Sequence, residues 1–427
     1  MPVAEPEASS EIALALAALP RDVPVALAVS GGADSVALML AASRLLPVEN
    51  LTVLSVDHGL RAAAAGEAAQ VAGWAKTAGV QHVTLRWQEE KPETGIQAAA
   101  REARYQLMTD WCTANNVAHL VTAHNLDDQA ETVLMRLKRG SGVDGLAGMA
   151  KQSWRSGIQL LRPLLDVTHD ALVASLRQAG HSWIEDPSNT DEQYERIQVR
   201  KSAETLSALG LSNAKLVATA RRMTRAREAL EQATHQLLAA CADVSEYGFC
   251  QLRAGAVRGA ADELAIRALS RCIQAVGGGA WPPSDEPLER VLEWLRAGTP
   301  DATTLGGCRL VLRGEHVLVA RELGRITERQ VNLPGGERLI WDGRFQIAAK
   351  GPGAQFQVGP LAKEGWAGLK AERPDLPAFV GQTLPAIRRG QQIVAVPSIA
   401  YVSPETAENR QFSVRFTNSQ LICGKTS

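Results

Sequence analysis

At 427 residues the chain is too long for one ordinary hydrophobic core, and two or three domains are expected. With 45 Lys and Arg against 46 Asp and Glu the formal net charge is -1, so no global basic signal marks a nucleic-acid binder and the local distribution of charge has to decide. Six scattered cysteines without a Cys-x-x-Cys pair argue against a zinc site or a disulfide framework. No apolar run reaches membrane-spanning length, and Glu5, Glu7 and Glu11 stand where a signal peptide carries cations, so a soluble, cytoplasmic protein is expected.

The apolar run Val23 to Val29 predicts a buried strand, and Val36, Leu38, Met39 and Ala42 fall at helical spacing after it. Between them lies Ser30-Gly31-Gly32-Ala33-Asp34-Ser35. Two adjacent glycines let the backbone turn sharply and turn amide N–H groups toward an oxyanion at the helix N-terminus. Ser30 and Ser35 add hydroxyls. Asp34 would repel a phosphate unless a cation lay between them, which points to Mg²⁺-bound phosphate. The stretch is not the usual nucleoside-triphosphate loop; the one Gly-Lys-Thr, Gly424-Lys425-Thr426, has Ser419 where the first glycine belongs and no room for a helix. Gly140-Ser141-Gly142-Val143-Asp144-Gly145 fits the dinucleotide pattern as text but follows a helical segment instead of a strand. The Ser30 loop resembles the pyrophosphatase-type loop of enzymes that cleave ATP to AMP and pyrophosphate.

Further strands are predicted at Leu51 to Asp57, Val80 to Trp87 and His119 to Thr122, with helices near Gly66 to Ala78 and Ile96 to Asn115. The alternation implies an α/β fold with a doubly wound parallel sheet, whose ligands sit beyond the carboxyl ends of the strands. Ser30, Asp57, His58 and His124 all fall at such ends. In His124-Asn125-Leu126-Asp127-Asp128-Gln129-Ala130-Glu131-Thr132, helical spacing puts His124, Asp128 and Glu131 on one face with Asp127 beside it. Three carboxylates so close suit a cation or a substrate ammonium among them; the plainer reading is acids favouring a helix N-terminus.

Charge then changes sign. Arg136, Lys138, Arg139, Lys151, Arg155 and Arg162 stand against Asp144 alone, and from Arg196 to Arg227 eight basic residues stand against Glu204. Two such clusters in a near-neutral chain look like a footprint for a phosphate backbone, the alternative being solvated helix faces. Trp183-Ile184-Glu185-Asp186-Pro187-Ser188-Asn189 reads as a strand entering a polar turn. Residues 1–210 are therefore expected to form the catalytic domain and 211–328 a mainly helical one. The latter has a long helix from Ser212 to Ala240, helices near Asp262 to Val276 and Glu286 to Arg296, and a closing hairpin from Cys308 to Val319. Residues 329–427 should form a small β-rich domain, with hairpins around Asp342-Gly343 and Arg389-Gly390.

Val56-Asp57-His58-Gly59-Leu60-Arg61, Ala100-Arg101-Glu102-Ala103-Arg104-Tyr105, the His124 to Thr132 segment running into Arg139 to Leu146, and Glu185-Asp186-Pro187-Ser188-Asn189, with the Ser30 loop, resemble the tRNA(Ile)-lysidine synthetase family over about the first two hundred residues. The resemblance implies ATP-dependent ligation of L-lysine to C2 of the wobble cytidine in the CAU anticodon of tRNA(Ile), through an adenylated cytidine. It implies ATP at Ser30, Gly31, Gly32, Ala33, Asp34 and Ser35 with Asp57 and His58 nearby, and Mg²⁺ at Asp34 and Asp128. Catalytic candidates are Asp34, Asp127, Asp128 and Glu131, with the split between metal and lysine among the last three left open. Substrate candidates are Arg101, Arg104, His124, Arg139, Gly140, Arg196 and Arg200. Arg196-Ile197-Gln198-Val199-Arg200 departs from the family, which often has Asn after the first arginine. The oligomeric state stays open, a homodimer being one option. The rivals are a tRNA 2-thiocytidine-type sulfur transferase, which needs cysteines where only Cys112 is offered; an ammonia-using synthetase, for which the basic clusters have no task; and a non-catalytic tRNA binder with a relict loop.

Overall fold

The computed structural model describes residues 7–60, 64–92, 94–185, 205–299, 301–333, 336, 338–349, 356–370, 373–403 and 412–423. They fall into two compact units, Met1–Arg227 and Glu228–Ser427.

In the first unit the predicted strands form: β1 Val25–Ala28, β2 Leu51–Asp57, β3 Gln81–Arg86 and β4 His119–Thr122. A hairpin of β5 Gln152–Arg155 and β6 Ile158–Leu161 completes a six-stranded sheet of order β3-β2-β1-β4-β6-β5, parallel except for the edge strand β5. Strand order reverses beside β1, so the loops after β1 and β4 open a crevice between them, the usual ligand position in such sheets. Alternation along β1 explains the layering. Val25 and Leu27 enter a core with α1 Glu7–Leu16, α2 Ala33–Leu45, α3 Ala64–Thr77 and α7 His169–Gln178, whereas Ala26 joins Leu54, Leu120 and Leu160 under α4 Ile96–Ala114. The acidic helix α5 spans Leu126–Lys138, followed by the short α6 Val143–Leu146.

Trp183 and Ile184 depart from expectation, forming no strand. The Ile184 amide donates to Gly31 O at 2.9 Å and both side chains pack against the core below the glycine loop, so the apolar pair serves as a wedge.

The division between units falls within the long helix α8 Asn213–Cys241. In the second unit α9 Ala254–Gly259, α10 Asp262–Gly277 and α11 Asp285–Ala297 are accompanied by a five-stranded antiparallel sheet. In that sheet β7 Ala242–Val244, β8 Cys250–Arg253, β11 His316–Arg321, β10 Cys308–Arg313 and β9 Thr303–Leu305 are neighbours in that order. Only its β10–β11 hairpin, turning at Gly314-Glu315, is legible in the sequence. The β-rich stretch supplies two more antiparallel sheets, including the hairpins β12 Arg338–Trp341 with β13 Phe345–Ala349 and β14 Pro385–Arg389 with β15 Gln392–Val396. Cys112, Cys241, Cys250, Cys272 and Cys308 are buried free thiols, as expected.

Near the sheet edge, Asp166 accepts from Lys151 at 2.6 Å and from Arg221 of α8 at 2.5 Å. Partial burial pushes its carboxyl up, but the two cations outweigh this and hold it below the ordinary carboxylate range. A folded-state pKa below the unfolded one stabilises the protein above the unfolded value, and that contribution fades as pH falls through the folded value. Asp166→Asn is therefore expected to flatten the loss of stability below about pH 4 while changing its course near neutrality far less, as read by thermal melts across that range.

Candidate active site

The loop after β1 has the conformation its glycines allow. Gly31 takes φ +96°, in the left-handed region, and Gly32 caps α2 in extended geometry. The first amide of α2 with a helical acceptor is that of Val36, which donates to Gly32 O at 3.0 Å. By helix geometry the amides of Ala33, Asp34 and Ser35 are left to face a ligand. Ser35 shapes the loop: its hydroxyl donates to Gly32 O at 2.9 Å and accepts from the Ser30 amide at 3.2 Å.

Asp57 ends β2 and accepts from the Gly59 amide at 2.9 Å, while the His58 ring lies edge-on to Trp87 at 6.3 Å. Next to β1 on the other side, β4 ends in Thr122, whose hydroxyl meets His124 Nδ1 at 2.8 Å. His124 is not on the acidic helix face where spacing put it. Asn125 caps the helix, its side chain accepting from the Asp128 amide at 2.9 Å, and Asp128 Oδ2 accepts from the Asn125 amide at 3.0 Å. This reciprocal cap starts the helix at Leu126 and leaves His124 outside it, and the Asn125-x-x-Asp128 spacing could have signalled it.

The carboxylates of α5 have distinct surroundings. Asp127 accepts from the His169 amide at 2.8 Å and from Asn213 Nδ2 at 2.6 Å; Asp128 closes the cap; Glu131 is buried. Leu126 and Ala130 of α5 pack on Leu216 and Val217 of α8, which explains how Asn213 reaches Asp127. His169 spans the gap to the glycine loop: its Nδ1 lies 2.7 Å from Asp34 Oδ1. The hydrogen bond to Asp34 raises the His169 pKa, partial burial opposes it, and the charges of Asp34, Asp127 and Asp170 reinforce it. Asp34 and Asp127 are thus joined through one residue.

Arg101 and Arg104 stack with Arg155 about the buried Tyr105 ring, their guanidinium carbons 5.4, 5.3 and 4.8 Å from its centroid. Arg155 also pairs with Glu102, so this part of the first basic cluster is partly neutralised. Arg139 and Gly140 sit at the far end of α5, whose 13 residues span about 20 Å, although the chain returns to the acidic end, where Gln129 grips the amide and carbonyl of Met149. Arg196, Arg200 and Asp186-Pro187-Ser188-Asn189 lie outside the described residues. Sequence reasoning missed Gln129, His169 and Asn213. The Thr168 cap with Leu172 and Leu176 at helical spacing could have signalled α7, but nothing local joins His169 to Asp34, 135 residues away.

A glycine loop at a helix N-terminus, at the strand-order reversal of a parallel sheet, defines a nucleotide-binding protein of the PP-loop class, and residues 7–205 match the PP-loop domain family. The tRNA(Ile)-lysidine synthase of Ruegeria pomeroyi is 39% identical over 390 residues, covering 90% of each chain. That of Wolbachia pipientis wMel is 33% identical over 392 residues, 90% of this chain and 91% of the relative. Among solved structures, the U34-tRNA thiolase NcsA from Methanococcus maripaludis aligns at 17% identity with a TM-score of 0.44, over 51% of this chain and 78% of its own. The chain belongs to the tRNA(Ile)-lysidine synthase family.

Proposed function

We infer that the chain uses ATP to ligate L-lysine to C2 of the wobble cytidine of the CAU anticodon of tRNA(Ile), switching its decoding from AUG to AUA and its charging from methionine to isoleucine. The observation that carries this is the joining of the Ser30–Ser35 loop to the Asp127 helix at one sheet edge, in a chain 39% identical across 90% of its length to a tRNA(Ile)-lysidine synthase.

The C2 oxygen of cytosine is a poor leaving group, so it first attacks the α-phosphorus of ATP and pyrophosphate departs. The amides of Ala33 to Ser35 and the Ser30 hydroxyl hold the phosphates while the Ser35 hydroxyl keeps the loop in shape through Gly32 O, with Asp57 and His58 at the neighbouring strand end. The lysine side-chain amine, with a free pKa of about 10.4, must lose a proton before it attacks C2 and expels AMP. Asp127, Asp128 and Glu131 are the candidates for orienting that amine and taking its proton, Asp127 while both its oxygens also accept hydrogen bonds from the protein. Arg101, Arg104 and His124 face the phosphates or the lysine carboxylate, and Arg139, Gly140, Arg196 and Arg200 belong to the tRNA contact.

Among the described residues no group of three or more His, Cys, Asp or Glu is placed to hold a metal alone. That donor set fits Mg²⁺ all the same, since this ion is commonly held by one or two carboxylates plus substrate phosphates and water. Asp34 is the principal ligand in this reading and Asp128 the second. When bound, the ion offsets charge on the departing pyrophosphate.

The regions 211–328 and 329–427 act as tRNA-gripping domains. The enzyme works in the cytoplasm, in keeping with its buried free thiols. Against a sulfur-transfer alternative stands Cys112, the one cysteine of the first two hundred residues, which is wholly buried in α4.

Incubation with radiolabelled lysine, ATP, Mg²⁺ and transcripts of tRNA(Ile) with the CAU anticodon or elongator tRNA(Met) tests the reading. Label is expected in the isoleucine tRNA alone. Formation of AMP and pyrophosphate without label in either would keep the adenylating site and overturn the lysine assignment.

A further inference from the structure

We propose that His169 is a positioning residue for the metal-bound form of ATP, holding Asp34 in register with the acidic helix. The inference rests on the reading of Asp34 as the carboxylate that meets Mg²⁺ on the phosphates. An ionised carboxylate only accepts hydrogen bonds, so Nδ1–H of His169 is the donor to Asp34 Oδ1 at 2.7 Å. His169 also gives its backbone amide to Asp127 Oδ2 at 2.8 Å, and Asn213 fixes the other Asp127 oxygen at 2.6 Å. One residue therefore contacts both carboxylates, by its side chain on one and by its main chain on the other.

The local sequence holds that residue still. Thr168 Oγ1 accepts from the Ala171 amide at 3.2 Å and caps α7, so His169 begins a helix whose Leu172 and Leu176 are in the core. Asp34 has a different footing. It lies in the first turn of α2, directly after the glycine turn, and its side chain is 30% exposed. With Oδ1 engaged by His169, the Asp34 side chain is restrained and its Oδ2 is left for the ion. Without the pin it samples several rotamers, and binding the ion must then select one. That cost falls on ATP carrying Mg²⁺ and not on ATP alone.

The experiment measures ATP affinity with Mg²⁺ and with a chelator for the wild type, His169→Ala, His169→Asn, Asp34→Ala and the Asp34→Ala/His169→Ala double variant. Asparagine places its amide nitrogen where Nδ1 of histidine stands and keeps the main-chain bond to Asp127. His169→Ala is expected to weaken binding about tenfold with Mg²⁺ and to leave metal-free binding within about twofold, with His169→Asn restoring most of the loss. In the Asp34→Ala background the alanine at 169 should add nothing, because the pair acts as a unit. Equal losses with and without Mg²⁺, or additive losses in the double variant, would overturn the proposal and leave His169 a merely structural residue. These affinities are independent of lysine incorporation, so failure of the lysine assignment and failure of this inference read out separately.

Discussion

Gly31→Ala is expected to lower ATP affinity by about a hundredfold, the largest loss of any single methyl group added to the nucleotide loop. Gly31 sits at φ +96°, where a side chain is strained, and an added Cβ would lie 2.5 Å from Ile184 Cδ1 and 3.2 Å from Val71 Cγ2. Strain of this kind costs about 1–3 kcal/mol, and overpacking costs a similar amount. The Ile184 tip can ease its clash by turning, but the φ strain is relieved only by moving the loop, which withdraws the amides proposed to hold phosphate. Gly32 provides the internal control. It has an ordinary negative φ, and its Cβ would meet nothing nearer than Ser30 Oγ at 3.8 Å. Calorimetric titration of both variants should separate them by at least about tenfold, and equal affinities would show that Ile184 yields without cost.

Asp342→Ala should be the most destabilising substitution in the second unit. Arg344 is fully buried and Arg321 nearly so. Asp342 Oδ2 accepts from Arg344 Nε at 2.7 Å and Arg321 Nε at 2.9 Å, and Oδ1 from Arg321 Nη2 at 2.7 Å. Burial lowers the Arg344 pKa to about 10, with the Asp342 charge working against that fall. Alanine would leave two buried guanidinium groups without their anion, a defect worth about 3–5 kcal/mol. Asp342→Asn should cost less, because asparagine tolerates the positive φ of 52° at this position and still accepts a hydrogen bond. Urea unfolding of both variants tests the ranking, and an alanine variant as stable as the asparagine one would contradict it.

The parallel sheet was legible because β1, β2 and β4 centre on apolar residues between polar breaks and β3 alternates, and His119 to Thr122 matches to the residue. The antiparallel sheet of the second unit was not, since β7 and β9 have three residues each and β8 four, too few for alternation to emerge. At the site, the glycine loop and the acidic helix carry their chemistry within a few residues and could be read directly. Their connection could not, because Asp34, His169, Asp127 and Asn213 meet only through tertiary folding. Within the basic clusters, Lys151 and Arg221 pair with Asp166, Arg155 pairs with Glu102, and Arg162 donates to Ala150 O and the Ser153 hydroxyl, partners that spacing alone does not reveal. Arg222 and Arg225 remain exposed on α8.

The buried thiols make the protein its own reporter of opening. Burial pushes Cys112 up to about 11 and Cys308 up to about 12, and the contact with Cys250 together with burial raises Cys272 as well. A thiol that is both protonated and enclosed does not react until its surroundings part. Alkylation of Cys112 therefore times the breathing of the α4 layer, and alkylation of Cys250, Cys272 and Cys308 that of the second unit's core. Peptide-resolved labelling rates would give each unit a local stability without any engineered probe.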